Sequence, residues 1–348
     1  MRDALRNITE QIESMVDLQP GDVVLDIGSN DGTLLRCYAD NDIFRLGVEP
    51  ANNLATPENY EGLRLLHGFW NFEGYENYFK ALRGRVRFFR SPETPKAKVI
   101  TAIGMFYDLD NPNQFIADVA KALRPEGIFC CQLMCLKQMV ESMDVGNLAH
   151  EHLEFYSLQS LMTLFKQNGL EIFDIYENNV NGGSYRIYCR HESEDTNDSE
   201  AAYRVVQALQ KEGQMRLFDP ETHKTFFQRL VRNRDELVAF IEHEVEVTGR
   251  KISVYGASTK GNTLIQWWGL DTCLIDCAAE RSPEKYGREM AGSRIPIVSE
   301  EEARAMMPDF MLVLPYSFIN EMRQREVNEL WRCAGGKFLV PLPELRIV

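Results

Sequence analysis

Two stretches far apart in this chain spell out the same structural unit. "VVLDIGSNDGTLLRCYAD" (23–40) reads as an apolar strand, a glycine-bearing loop and a helix, and "KISVYGASTKGNTLIQWWG" (251–269) reads the same way. Each is followed by a second strand, "FRLGVEP" ending in the acid Glu49 and "CLIDCAAE" ending in polar groups. A strand, tight loop, helix and parallel strand is how a Rossmann-like sheet begins, so the chain is constrained to α/β architecture twice over. The two openings share this pattern without a residue-level repeat.

The rest of the chain extends both patterns. After the amphipathic start (1–18) and the first unit, "AKVITAIGMFYDLDNPNQFIADVAKALRPEGIFCCQLM" and "SLQSLMTLFKQNGLEIFDIYENN" continue the alternation, and "GGSYRIYCR" supplies a last strand. A parallel α/β domain is therefore expected over 1–192. The acid-rich "HESEDTNDSE" bridges to two helical segments, with Pro220 suited to the first turn of the second, which makes 193–248 a helical connector. A smaller Rossmann-like domain follows over 249–348, with "PDFMLVLPYSF" and "GGKFLVPLPEL" as further strands. At 348 residues the chain has length enough for two cores.

In "LDIGSNDGTLL", Asp26, Gly28 and Gly32 form D-x-G-x-x-x-G, which lacks the third glycine of the dinucleotide fingerprint. Glycines let the backbone approach a ligand closely, and an acid about 20 residues on can accept from a ribose diol. Glu49 stands at that spacing. The loop resembles motif I of class I methyltransferases, which bind S-adenosyl-L-methionine, a nucleoside-type ligand without phosphate. Asn30 and Asp31 in the loop and Asp108 after a later strand complete the candidate cofactor set. A structural strand-to-helix turn and a degenerate NAD site are the alternatives, and Asp31 and Asp108 are also compatible with surface loops.

"GNLAHEHLEFYS" (146–157) crowds His150, Glu151 and His152 together before what reads as a helix start. Neutral imidazole accepts a proton near neutrality, and a neighbouring carboxylate can orient it. H-x-H could also offer two zinc ligands, but no spaced third ligand or cysteine cluster completes a set, and no metal is expected. A solvated helix start is the remaining alternative.

"HEHLEFYS", "NGGSYRIYC", "YGASTKGNTLIQ" and "GGKFLVPLPEL", in that order, resemble the sugar C-methyltransferases that act on nucleotide-linked 4-keto-deoxysugars, from about Val23 to the end. The resemblance implies an S-adenosylmethionine-binding domain, a second Rossmann-like domain, and a sugar nucleotide between them. It makes His152 the base that removes a proton from the carbon next to the ketone, with Glu151 orienting the imidazole or contacting the sugar and His150 beside them. Asn181, Ser184 and Arg186 in "NGGSYR", and Ser258, Lys260 and Asn262 in "GASTKGN", become candidates for holding the oxyanion, sugar hydroxyls or diphosphate. On the residues alone, Arg186 could instead be a structural partner and "GASTKGN" a capped helix start.

Three departures accompany the resemblance. No segment corresponds to the zinc-binding domain with which the family usually begins. Ala149 stands where a tyrosine commonly precedes the histidine run, and Asp108 stands where members often carry a histidine. O- or N-methylation of a related polar metabolite, a nucleotide-sugar oxidoreductase and a non-catalytic binding protein are the other readings.

Charge and hydropathy narrow the partners. The formal net charge of −14, from 38 basic and 52 acidic side chains, disfavours nucleic acid and anionic membranes, leaving a small molecule. No window supplies the roughly 20 apolar residues needed to span a bilayer, so a cytoplasmic location is expected. The eight cysteines contain no C-x-x-C pair, and Cys130, Cys131, Cys189 and Cys273 are expected as buried thiols.

Overall fold

The computed structural model describes residues 2–39, 42–85, 89, 91–192 and 199–348, with only the backbone of Asn181. Most of the acidic bridge expected in "HESEDTNDSE" lies outside the described residues. In chain order the elements are α1 (Arg2–Met15), β1 (Val23–Ile27), β2 (Phe44–Glu49), β3 (Arg64–His67), α2 (Phe72–Leu82), β4 (Ala97–Ile103), α3 (Pro112–Ala122), β5 (Leu123–Met134), α4 (Leu136–Ser142), α5 (Leu158–Gln167), β6 (Leu170–Asn178) and β7 (Ser184–His191). Then come α6 (Ser199–Met215), α7 (Pro220–Glu242), β8 (Ile252–Tyr255), α8 (Thr259–Trp268), β9 (Ala278–Glu280), β10 (Ile297–Ser299), α9 (Glu300–Ala305), β11 (Phe310–Val313), two short helices (Ile319–Glu326, Leu330–Cys333), β12 (Lys337–Val340) and β13 (Arg346–Ile347).

The chain forms two compact units. One comprises Met1–Cys135, Leu153–Asn178 and Ser184–Gln214; the other comprises Leu136–His152, Asn179–Gly183 and Met215–Val348. This differs from the linear division at 192 and 248. The expected connector is no separate body: almost all of α6 belongs to the first unit and α7 to the second. The short excursions Leu136–His152 and Asn179–Gly183 carry part of the second unit, and their Met143 and Val145 lie in its core.

The first unit is built on a seven-stranded sheet, β3-β2-β1-β4-β5-β7-β6. β1 is buried along its whole length. Val23, Leu25 and Ile27 enter one core with residues of α2, α3 and α5, while Val24 enters the other with Ile8 and Ile12 of α1. Burial on both faces is why the strand reads as a continuous apolar run rather than an alternation. The aromatic stretch after β3 is core material: Tyr75 is fully buried, and Trp70, Phe72 and Tyr78 pack around the same cluster.

Two expectations are corrected in this unit. The sheet is not wholly parallel, because β7 lies antiparallel between β5 and β6. The segment after the first glycine loop is not an α-helix but a short 3-10 turn, Leu35–Cys37. Leu34, Leu35 and Tyr38 reach the core beneath α1 from that turn, so packing holds a segment too short to be a stable helix by itself.

β7 also accounts for two residues expected at the acceptor. Ser184 is buried at its first position, paired with Met134 and Asn178. Arg186 is buried, and its guanidinium donates to Gln132 Oε1 at 2.9 Å, Asn7 Oδ1 at 2.9 Å and Gln11 Oε1 at 2.5 Å, tying α1 to the sheet. Both are structural residues of the first unit.

The second unit carries the six-stranded sheet β10-β9-β8-β11-β12-β13, parallel except for β13. Its first five strands repeat the order of the first sheet, with the reversal between β8 and β11 matching that between β1 and β4. Asp219 caps α7 by accepting from Glu221 N, and Pro220 fills the first turn as expected. All eight cysteines are free thiols; Cys273 is exposed rather than buried, because it follows the end of α8 in a surface turn.

Glu212 of α6 fastens that helix to the first unit. Its buried carboxylate accepts from Leu158 N at 2.8 Å and Gln159 N at 3.4 Å at the start of α5, and from Tyr185 Oη at 2.9 Å. Removing it strands buried donors, so Glu212→Ala should lower stability by about 2–4 kcal/mol and Glu212→Gln by less, read as a shift of the denaturant midpoint.

Candidate functional site

At the end of β1 the chain turns through three residues in the left-handed region: Gly28 (φ 69°), Asn30 (φ 52°) and Gly32 (φ 73°). Gly28 N and Ser29 N both donate to Val48 O, at 2.9 and 3.1 Å, which seats the loop on the end of β2. A Cβ on Gly28 would lie 3.1 Å from Met105 Cγ, and one on Gly32 would lie 2.6 Å from Leu63 Cδ1, so both positions also need glycine for space.

Glu49 fixes the far side of the loop. Its Oε2 accepts from Asn30 N at 2.9 Å and its Oε1 from Ala51 N at 2.8 Å. An ionised carboxylate has about four acceptor positions, so about two remain for a vicinal diol. Beneath the loop the Tyr60 hydroxyl donates to Asn30 O at 2.8 Å and lies 2.6 Å from Ser29 Oγ. Burial pushes that phenol up to about 12, so it stays a donor. Gly47 makes the arrangement possible: a Cβ there would sit 2.4 Å from Ser29 Oγ and 2.7 Å from Tyr60 Cε1.

The two aspartates of the motif divide. Asp26 is buried on the face of β1 covered by α1 and accepts from Thr101 Oγ1 at 2.6 Å. Burial pushes its carboxyl up to about 7, against the pull of the Thr101 hydroxyl and with a further push from Glu49. Asp31 is exposed and caps its own turn by accepting from Thr33 N at 3.0 Å; hydrogen bonding to the Thr33 side chain leads the effects that hold its carboxyl below the ordinary value. Asp108 lies exposed at the end of the 3-10 turn Phe106–Asp108 that follows β4.

The histidine run belongs to the second unit. It does not open a helix: His150 and Glu151 form a turn, and α5 begins only at Leu158, capped by Ser157. His150 is 95% exposed, and the Glu151 carboxylate sits 3.1 Å from its Nδ1. The His152 Nδ1 is 2.7 Å from the backbone carbonyl of Asn147. A carbonyl only accepts, so Nδ1 carries the proton and Nε2 of the neutral ring keeps its lone pair. His152 is half-buried, and its own amide donates to Ala149 O at 3.1 Å.

Upstream of this run lie residues that local patterning does not single out. Asp144 is 1% exposed and accepts from Asn147 Nδ2 at 2.9 Å and, in a very short contact, from Lys260 Nζ. The only sequence signal for Asp144 is a lone acid in an apolar stretch, and its partner lies 116 residues away.

The second glycine loop differs from the first in what it leaves open. Ser258 is the N-cap of α8, accepting from Gly261 N at 3.0 Å. Asn262 donates its amide to Ser258 O at 2.9 Å, and its Oδ1 is buried without a hydrogen bond among the described residues. Asn181 lies in the 3-10 turn Val180–Gly182, and its side chain falls outside the described residues. Glu280 reaches back to the loop as Glu49 does, but accepts four times: from Ala257 N, Lys285 Nζ, Arg281 N and Ser282 N. That carboxylate has no position left for a ribose diol, which removes the acid-to-ribose contact an NAD site would need.

The first loop therefore has what a nucleoside donor requires: close backbone approach, an anchored carboxylate with open acceptor positions, and a rigid floor. Glu49→Ala should weaken S-adenosylmethionine binding by about ten- to a hundredfold in calorimetry, the loss of charge-assisted hydrogen bonds. For Asp26, a raised native pKa means the folded state holds the proton longer than the unfolded one. Stability from this group is complete below the unfolded value of 3.8 and is lost as pH rises towards about 7. Asp26→Asn should flatten the fall in unfolding free energy between those limits, measured by denaturation at stepped pH.

Residues 2–175 match the family described as "Methyltransferase domain", and residues 179–343 match "C-methyltransferase C-terminal domain". The C-methyltransferase NovU of Streptomyces niveus is 28% identical over 344 residues, covering 99% of this chain and 78% of that protein. Among solved structures, an S-adenosylmethionine-dependent methyltransferase from Clostridium acetobutylicum aligns with a TM-score of 0.40 at 12% identity, over 56% of this chain and 93% of its own. The mitomycin 7-O-methyltransferase MmcR aligns at 0.39 and 15% identity, over 54% of each chain. Among the described residues no helix is long and apolar enough to cross a membrane, and no cluster of side chains could hold a metal. With a methyltransferase domain matched over half its length and a C-methyltransferase domain over most of the remainder, the chain belongs to the S-adenosylmethionine-dependent methyltransferases.

Proposed function

We propose that this enzyme methylates carbon, at the position next to a ketone of a nucleotide-linked deoxysugar, with His152 as the base. One observation carries the reading: Nδ1–H of the half-buried His152 ring is held by Asn147 O at 2.7 Å, which makes Nε2 the basic nitrogen of the neutral imidazole. The match of 179–343 to a C-methyltransferase domain and the similarity to NovU support carbon as the site of transfer.

The chemistry divides among the chain's own residues. S-adenosylmethionine, when bound, supplies an electrophilic methyl group. Gly28, Asn30, Gly32 and Glu49 would hold it through the open loop and the free carboxylate positions, with Asp26 supporting the loop from below, Asp31 shaping its turn and Asp108 at the neighbouring strand end. His152 Nε2 takes the proton from the acceptor's α-carbon, and the resulting enolate carbon is the nucleophile. Negative charge grows on the ketone oxygen as the proton leaves, so a donor must face it. His150 and Glu151, exposed and paired with each other, suit a contact at the sugar rather than the proton transfer. Asn181, Ser258 and Asn262 are the proposed contacts to the nucleotide or sugar; Ser184 and Arg186, built into the first unit, are not.

Ala149 and Asp108 depart from the family pattern at the acceptor, which keeps O- or N-methylation of a related metabolite as the second reading. Solvent deuterium distinguishes the two. Incubated in deuterium oxide with a panel of nucleotide-linked ketosugars, the enzyme should exchange the α-hydrogen of its acceptor, and His152→Gln should lower that exchange by at least about a hundredfold. Methyl transfer without any exchange, seen by mass spectrometry, would establish the heteroatom reading instead.

A further inference from the structure

Lys260 entered the site as a candidate ligand for the acceptor's anionic part. Its surroundings give it another task. The ammonium is paired with the buried Asp144 carboxylate and lies 5.7 Å from the Tyr316 ring centroid, on the ring's electron-rich face. The same Asp144 oxygen accepts from Asn147 Nδ2, and the carbonyl of Asn147 receives the His152 Nδ1 proton. A continuous set of contacts thus runs from the first turn of α8 to the imidazole, all within one unit.

The backbone is shaped around this pair. A Cβ on Gly146 would lie 2.5 Å from Lys260 Cγ and 3.2 Å from Lys260 O, so the turn Val145–Asn147 rests directly on the lysine stem. Gly182 (φ 88°) covers the other side: a Cβ there would lie 2.9 Å from Asp144 Oδ2 and 3.3 Å from Lys260 Nζ. The two glycines bring main chain close enough to exclude water from the carboxylate, and a buried carboxylate so enclosed requires its counter-charge.

We propose that Lys260 and Asp144 are positioning residues for His152: the ion pair holds Asn147 so that its carbonyl fixes the tautomer and direction of the ring. This rests on the reading of His152 as the base. The cation is held by the protein's own carboxylate, and α8 meets the acceptor through Ser258 and Asn262 instead.

The test uses the full chain with Lys260→Met, Asp144→Asn and the double variant, and Lys260→Arg as the conservative control. Side-chain 15N spectra of the free protein should show His152 almost wholly as the Nδ1–H tautomer, and a mixture in Lys260→Met and Asp144→Asn. The kcat for solvent exchange should fall by about ten- to a hundredfold with acceptor KM changed less than about twofold, the signature of a misplaced base. The double variant should be no worse than the singles, and Lys260→Arg should recover part of the loss. S-adenosylmethionine affinity should be unchanged in every variant, which certifies the fold. Should Lys260→Met fail to fold, Asn147→Ala reads the same relay through the same spectra. A rise in acceptor KM of about tenfold with kcat intact, or an unaltered tautomer, overturns the proposal. Loss of the base reading appears separately, as exchange surviving in His152→Gln, while the spectra still report on the relay.

Discussion

A carboxylate at the end of the second strand, reaching back to a backbone amide of the preceding glycine loop, is the constraint on which both units depend. In the first unit Glu49 takes Asn30 N; in the second Glu280 takes Ala257 N. The loop cannot otherwise hold its amides in place, because a turn through left-handed residues leaves main-chain donors that a neighbouring strand does not satisfy. What separates the units is the remaining valence. Glu49 spends half its acceptor capacity on the protein, whereas Glu280 spends all of it. The same topology leaves a carboxylate with open acceptor positions in one case and a fully engaged one in the other.

The consequence extends to the sheets. Both keep the reversal of strand order beside the first strand, the place where open α/β sheets receive ligands at their carboxyl ends. In the first sheet the loop at that place is supported by the contact of Tyr60 with Ser29, for which Gly47 leaves room, three residues that carry no motif of their own. Their selection follows from close packing: a loop meant to touch a ligand must not move, so the space below it is filled.

Much of this was readable in the chain. The two strand-loop openings, Glu49 after the first and Pro220 at the start of α7 follow from hydrophobic period and turn chemistry, which act locally. What escaped was non-local. β7 enters the sheet antiparallel, a matter of which edge a strand finds, and no period in "GGSYRIYC" records it. Arg186 looks in sequence like a ligand for an anion, and only the fold brings Asn7 and Gln11 to its guanidinium. The partner of the His152 Nδ1 proton is a main-chain carbonyl five residues back, which the side-chain pattern of the histidine run does not record. The pairing of Asp144 with Lys260 is the extreme case, since each looks like an isolated charge until the chain has closed on itself.

The chain passes between its two compact bodies five times, not once. A hinge-linked pair of domains could be inherited, lost or exchanged as separate cassettes, each half keeping its fold. Here a break after the seventh strand would strip the second body of the segments that bear Met143, Val145 and the histidines. No single cut therefore separates the two bodies with both complete.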